Sequence, residues 1–164
     1  MKTIVMIRHA KAESGGYEND FNRKLQPKGE LDAAAIGARL QTLRIIPNRI
    51  IASPADRAWK TAAIYAEKLA FEESKIEPWE AFYRGATTHN LLEKVYETSD
   101  KFGCIYIVGH NPTIHYLTHN MCVEFNKDTP TCATAVIQFD VVSWKDVEAR
   151  IGKLLLHLVP QVNF

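Results

Sequence analysis

The chain has 164 residues, 46% apolar and 24% charged, the make-up of one globular domain able to bury a core of its own. A net charge of +1 excludes the global field that draws a protein to nucleic acid or an anionic membrane, so any attraction for an anion has to be local. Three cysteines, Cys104, Cys122 and Cys132, form no C-x-x-C pair and read as free thiols of a reducing compartment. The apolar run at the start is too short for a signal peptide and meets Arg8 too early, and no segment approaches the ~20 apolar residues of a spanning helix. The expectation is a soluble cytoplasmic protein in which residues 1–164 form a single domain.

Thr3 to Ile7 reads as a fully buried strand. Ser14 to Asn22 reads as a loop through its glycines and polar residues. "PKGELDAAAIGARLQTL" predicts a helix with Pro27 in its first turn and an apolar face of Leu31, Ala35, Ile36, Leu40 and Leu43. Gly29 and Gly37 weaken that helix. Arg49 to Ala52 is a second strand. "SPADRAWKTAAIYAEKLA" predicts a helix capped by Ser53, with Pro54 at its first position and Asp56 near its positive end. Residues 71–88 look irregular, and "NLLEKVYETS" is a shorter helix. Cys104 to His110 is a buried strand ending in glycine and histidine. "NPTIHYLTHNMC" restarts a helix with Asn111 as cap and Pro112 in the first turn. "TAVIQFDVV" and "KLLLHLV" close the chain as strands around a polar turn at Asp146. Strand–helix alternation predicts one α/β domain with a mostly parallel sheet, the last two strands adding antiparallel edges.

Arg8-His9 and Gly109-His110 both lie at strand carboxyl ends, where open α/β sheets bind ligands. Arg57 lies one turn into the helix after another strand. If the strands are neighbours, two arginines, two imidazoles and two helix N-termini share one cleft, a site for a doubly charged anion such as phosphate. Arginine's planar fork binds two phosphoryl oxygens at once. A neutral His9 can attack phosphorus and carry the phosphoryl group covalently, provided its other ring nitrogen keeps a proton on a backbone carbonyl. A protonated His110 would neutralise the equatorial oxygens.

These segments together resemble the histidine phosphatase superfamily. "IRHAKAE" resembles its Arg-His-Gly signature, with Ala10 for glycine as in the small SixA-like phosphohistidine phosphatases. "SPADRAWKTA" and "VGHNPTI" resemble its second and third segments, and "DFNRKLQPKG" resembles the Asp-x-x-Arg-x-Leu stretch of the small branch. The resemblance implies a phosphoglycerate mutase-like three-layer α/β/α sandwich, with no metal or organic cofactor. It implies His9 as the phosphorylated nucleophile and Arg8, Arg57 and His110 as phosphoryl ligands, with Arg23 at a matching position. Gln26 departs from the usual Thr or Asn and caps its helix less well. "EFNKDTPTCAT" resembles the last loop of the branch, where backbone near Thr134-Ala135 is expected to touch phosphate.

Relatives acting on alcohol esters supply a carboxylic acid, because a departing alkoxide needs a proton. Glu77 and Glu80 are the candidates here, and neither sits in an alignable pattern. Imidazole is a much better leaving group, its conjugate acid having a pKa of about 6.5. A short segment between residues 70 and 104 leaves little material for a lid, which suits a side chain presented by a protein. The expected substrate is therefore phosphohistidine on a protein of phosphotransfer or phosphocarrier type, handled by a monomer with no nucleic-acid or membrane partner. Two rivals stay open: a phosphoserine/threonine or small-molecule phosphomonoesterase using Glu80 or Glu77, and a module that grips phosphoproteins without turnover. His115, His119 and Cys122 have helical spacing for zinc but no evident fourth ligand. Trp59, Trp79 and Trp144 read as packing residues, and Tyr83 and Arg84 as candidates for the cleft entrance.

Overall fold

The computed structural model describes residues 1–14 and 19–161; residues 15–18 of the expected loop lie outside the described residues. In chain order the elements are β1 (Lys2–Arg8), α1 (Pro27–Thr42), β2 (Arg49–Ala52), α2 (Asp56–Lys68), β3 (Glu77–Pro78), α3 (Glu80–Arg84), α4 (Thr88–Tyr96), β4 (Cys104–Gly109), α5 (Thr113–Met121), β5 (Thr134–Phe139) and β6 (Lys153–Leu158). The strands form one six-stranded sheet in the order β3-β2-β4-β1-β5-β6. Neighbours from β3 through β1 are parallel, whereas β5 runs antiparallel to both β1 and β6. The sheet is thus mostly parallel, as the alternation of elements predicts, but the expected pair of antiparallel edges is not found: among the described strands only β5 is reversed, it lies inside the sheet, and the edge strand β6 runs parallel to β1.

Side chains alternate across a strand, so one apolar run feeds two cores. Val5, Ile7, Ile50, Tyr106 and Val108 pack under Ala33, Ile36 and Leu40 of α1 and Ala58, Ala62 and Tyr65 of α2. Ile4, Met6, Ile51, Ile105 and Ile107 face the other way, onto Phe82 of α3, Leu91 and Val95 of α4, and Ile114, Leu117 and Met121 of α5. Each such aliphatic or aromatic side chain contributes roughly 1.5–3 kcal/mol by leaving water. The result is the expected α/β/α sandwich. Trp144 is fully buried and Trp79 stacks on Phe82, which makes both packing residues.

Several local expectations are corrected. The buried face of α1 is Gly29, Ala33, Ile36, Gly37 and Leu40, while Leu31 is 72% exposed and Leu43 38%. Its two glycines explain the rotation. A Cβ on Gly29 would stand 2.2 Å from the Lys11 carbonyl oxygen, so the helix rests directly on the chain that leaves β1. A stripe chosen by large apolar residues misses a face chosen for closeness. Ser53 and Asn111 are not helix caps: α2 is preceded by Ala55 and α5 by Pro112, neither making a side-chain cap bond. Gln26 precedes α1 without a side-chain cap bond, as expected. Residues 71–88 include the short β3 and α3, and the shorter helix begins at Thr88 behind a Thr87–Asn90 capping box.

Candidate active site

The register places the chemistry. Arg8 at the end of β1 pairs with Gly109 at the end of β4, and Ala52 at the end of β2 pairs with Val108. The next residues, His9, His110 and Ser53, therefore emerge side by side at the carboxyl edge of three adjacent parallel strands. The His9 and His110 rings lie 5.3 Å apart, tilted by 57°. Both are nearly buried, at 7% and 9% exposure. Gly109 is required for this arrangement, because a Cβ there would stand 2.4 Å from the Phe82 ring that carries α3 onto the site.

His9 Nδ1 lies 2.7 Å from the Ala10 carbonyl oxygen, which can only accept; Nδ1 therefore carries the proton and Nε2 keeps its lone pair. The Ala10 amide donates to Thr61 Oγ1 at 3.0 Å, and that hydroxyl donates to the Arg57 carbonyl at 2.7 Å. Thr61 thus ties the His9 segment to α2. Burial pushes the His9 imidazole down to about 3; the Ala10 hydrogen bond opposes this, and His110, Arg57 and Arg8 reinforce it. His9 is neutral at physiological pH. Burial, helped by Arg57 and opposed by Asp20, likewise brings His110 down to about 4. The expectation of a cationic His110 is not met in this state. One of its nitrogens, Nε2, lies 2.7 Å from Ser53 Oγ, and the other, Nδ1, is buried without a partner.

The arginines are held by their outer atoms. Arg8 Nη1 donates to the Thr129 carbonyl at 3.0 Å, which also accepts from Asn111 Nδ2 at 2.9 Å. Arg57 Nη1 and Nη2 donate to the Asp20 carbonyl and to Asp20 Oδ2, at 2.8 and 2.9 Å. Arg8 Nε and Arg57 Nε are buried and unpartnered. Orphaned buried donors of this kind call for an acceptor. Arg23 donates through Nε to Asp20 Oδ1 at 2.9 Å and through Nη1 to the Glu13 carbonyl at 2.9 Å. Asp20 therefore joins Arg23 to Arg57. Tyr83 closes the rim, its hydroxyl 3.1 Å from Asp20 Oδ2 and its ring edge-on to His110 at 5.7 Å.

Glu77 is not placed to act as an acid. Its two oxygens take a bidentate pair from Arg49 at 2.7 and 2.8 Å, at the opposite end of β2 from Ser53. Hydrogen bonding from Arg49 lowers its carboxyl pKa against the effect of burial. Glu80 is 63% exposed and lies 3.9 Å from Arg84; among the described residues no hydrogen bond or ion pair joins it to His9, His110, Arg8 or Arg57. Thr134 and Ala135 already lie within β5, in register with Ile7 and Met6. The backbone against the site comes earlier: Cys132 N donates to the His9 carbonyl and Arg8 N to the Ala133 carbonyl. His115 and His119 bond through Nδ1 to Thr129 Oγ1 and to the Phe125 carbonyl, and Cys122 is fully buried. Among the described residues no group of His, Cys, Asp and Glu side chains is arranged to hold a metal ion. A groove of 690 Å³ lined by Lys24, Pro54, Trp59 and Lys60 opens nearby, but neither histidine lines it.

Sequence reasoning missed Asp20, Ser53, Thr61 and Thr129. Asp20 had a visible signal, its spacing of three from Arg23. The other three meet site groups far away in sequence: Ser53 meets His110, Thr61 the Ala10 amide, and the Thr129 carbonyl Arg8.

Comparison with known proteins agrees with this fold. Residues 4–83 match the model of the histidine phosphatase superfamily (branch 1). The protein histidine phosphatase SixA, solved with tungstate, superposes with a TM-score of 0.80 at 18% identity, over 96% of this chain and 97% of that one. A structure from Nakamurella multipartitia bearing the SixA name gives 0.81 at 22% identity, over 98% and 97%. The mitochondrial serine/threonine-protein phosphatase Pgam5 of Drosophila ananassae is 27% identical over 140 residues, covering 69% of this chain but only 48% of its own length. Residues 4–83, just under half of the chain, thus match the histidine phosphatase superfamily, and the chain as a whole has the fold of the SixA-named structures.

Proposed function

We propose that the protein is a phosphatase that hydrolyses phosphohistidine on a protein substrate through a phospho-His9 intermediate. The observation that carries this is the His9 Nδ1–H bond to the Ala10 carbonyl, which leaves Nε2 as a neutral nucleophile beside the unpartnered nitrogens of Arg8, Arg57 and His110. His9 Nε2 attacks phosphorus in line, and water then hydrolyses the phosphoenzyme. Arg8, Arg57 and His110 hold the equatorial oxygens, and Arg23 shares Asp20 with Arg57 at the edge of the site. A phosphoryl dianion beside His110 favours its protonated form and so counters the burial that keeps it neutral.

The carboxyl groups around the site favour phosphohistidine over alcohol esters. Glu77 is tied to Arg49 and Glu80 stands in water, so neither is poised to protonate an alkoxide. A substrate whose leaving group needs no such acid suits the site. The serine/threonine alternative draws on the likeness to Pgam5 and requires Glu80.

The test is a panel of a phosphohistidine protein, a phosphoserine peptide and a sugar phosphate, with chelator present. Preferred turnover of phosphohistidine is expected, as is acid-labile label on wild type that His9→Ala lacks. Equal turnover of all three, or no turnover with tight binding, overturns the proposal. The second outcome points to a non-catalytic phosphoprotein module.

A further inference from the structure

His9 forms the floor of the site and Asp20 its rim, the histidine being 7% exposed and the Asp20 side chain 52%. In-line displacement expels the leaving group on the side away from the nucleophile, hence toward the rim. The groups standing there decide which leaving groups are served. Asp20 Oδ1 accepts from Arg23, and Oδ2 accepts from Arg57 and Tyr83. A carboxylate has about four acceptor positions, so one remains open to solvent. Beside it, the Phe21 and Tyr83 rings meet edge to face at 5.1 Å.

We propose that Asp20 is the receptor for a cationic aromatic leaving group, accepting a hydrogen bond from the ring N–H of a protonated phosphohistidine while Phe21 and Tyr83 flank the ring. The inference rests on the phosphohistidine reading and names the residue that selects for it. The substrate ring carries the phosphoryl group on one nitrogen and a proton on the other. As His9 Nε2 forms its bond to phosphorus, the P–N bond breaks and its electron pair stays on the substrate nitrogen. The ring leaves as neutral imidazole with its other N–H intact, so no acid has to deliver a proton. Without that N–H the ring would depart as a strongly basic anion. An ionised acceptor at the rim keeps the productive form populated above the ring's own pKa.

The surroundings suit an acceptor and exclude an acid. Burial raises the Asp20 carboxyl, but hydrogen bonds from Arg23, Arg57 and Tyr83 outweigh it and bring it down to about 2. The titratable and charged groups facing it are Arg23 on its own segment, Arg57 from α2, Tyr83 from α3, and His110 after β4, whose protonated form its charge favours. With both arginines held on it, Asp20 keeps its charge, and its remaining acceptor position faces solvent at the rim.

The experiment compares a phosphohistidine peptide with p-nitrophenyl phosphate, whose leaving group carries no ring N–H, in wild type, Asp20→Asn and Asp20→Glu. In Asp20→Asn the ratio of kcat/KM values, peptide over aryl ester, should fall about tenfold at pH 8, the worth of roughly one charge-assisted hydrogen bond, and less at pH 6. The alkaline limb of kcat for the peptide should move to lower pH. Asp20→Glu, which keeps the charge, should recover part of both effects, and aryl ester turnover reports that each variant is folded. Proportional loss on the two substrates at every pH, with the limb unmoved, overturns the proposal and leaves Asp20 a positioning residue for Arg23 and Arg57. Wild type that hydrolyses the aryl ester but no phosphohistidine defeats the functional reading instead.

Discussion

Stability against pH offers a direct measure of the site's electrostatics without any substrate. His9 and His110 are nearly buried, and their imidazoles are held at about 3 and about 4, below the ordinary 6.5. Unfolding restores the ordinary value, so below pH 6.5 the unfolded chain binds protons that the folded one refuses. The stabilisation is fully present above 6.5 and is lost as pH falls toward the folded values. At pH 5, 1.5 units below the unfolded pKa, each histidine costs about 2 kcal/mol, and the pair about 4. The window between pH 7 and 5 is clean for the depressed carboxyls: Asp20 and Glu77 begin to contribute only near their unfolded values of 3.8 and 4.5. His157, half-buried and also lowered, adds in the same direction. Urea unfolding followed by circular dichroism at pH 5, 6 and 7 measures the slope. His9→Asn keeps an N–H for the Ala10 carbonyl but removes the titration, so its loss between pH 7 and 5 should be about 2 kcal/mol smaller than that of wild type. A wild-type stability that is flat or rising as pH falls to 5, or an unchanged slope in His9→Asn, refutes the reasoning.

Two further outcomes follow from single contacts. Glu77→Gln leaves the nearly buried Arg49 with Thr98, the Lys94 carbonyl and the Glu97 carboxylate at 3.6 Å but without its bidentate partner, and should cost about 1–3 kcal/mol in denaturant while changing kcat on any phosphate ester little. A large, selective loss of alkyl-phosphate turnover in that variant would reinstate it as an acid. Thr61→Val strands the buried Ala10 amide, which should cost about 1–3 kcal/mol and lower kcat by loosening the chain beside His9; unchanged stability and rate in the same assays would contradict that tie.

The elements that carry the reaction were legible because their signals are local. Apolar runs ending in Arg8-His9 and Gly109-His110 announce strands and their mouths, and the boundaries of β2 match the expected Arg49 to Ala52. Caps and carboxylates are not legible, for the opposite reason. Ser53 has the sequence context of a cap, yet its hydroxyl lies against His110, 57 positions away. Glu77 occupies the region where an acid is expected, yet Arg49, 28 positions earlier, takes both its oxygens. The α1 stripe failed because small residues mark close backbone approach, which periodicity in large side chains cannot register.

By itself the chain's pattern of apolar runs, glycines and paired Arg-His residues determined an alternating α/β order and which side chains would stand at strand ends, since backbone preference and burial periodicity act over a few residues. Only the folded sheet, by inserting β4 between β1 and β2, brought His9, His110 and Ser53 together, and only it laid Asp20 across Arg23 and Arg57. Hydrogen bonds and fields depend on distances of a few ångströms between residues far apart in the chain, and those distances exist only once the core has packed.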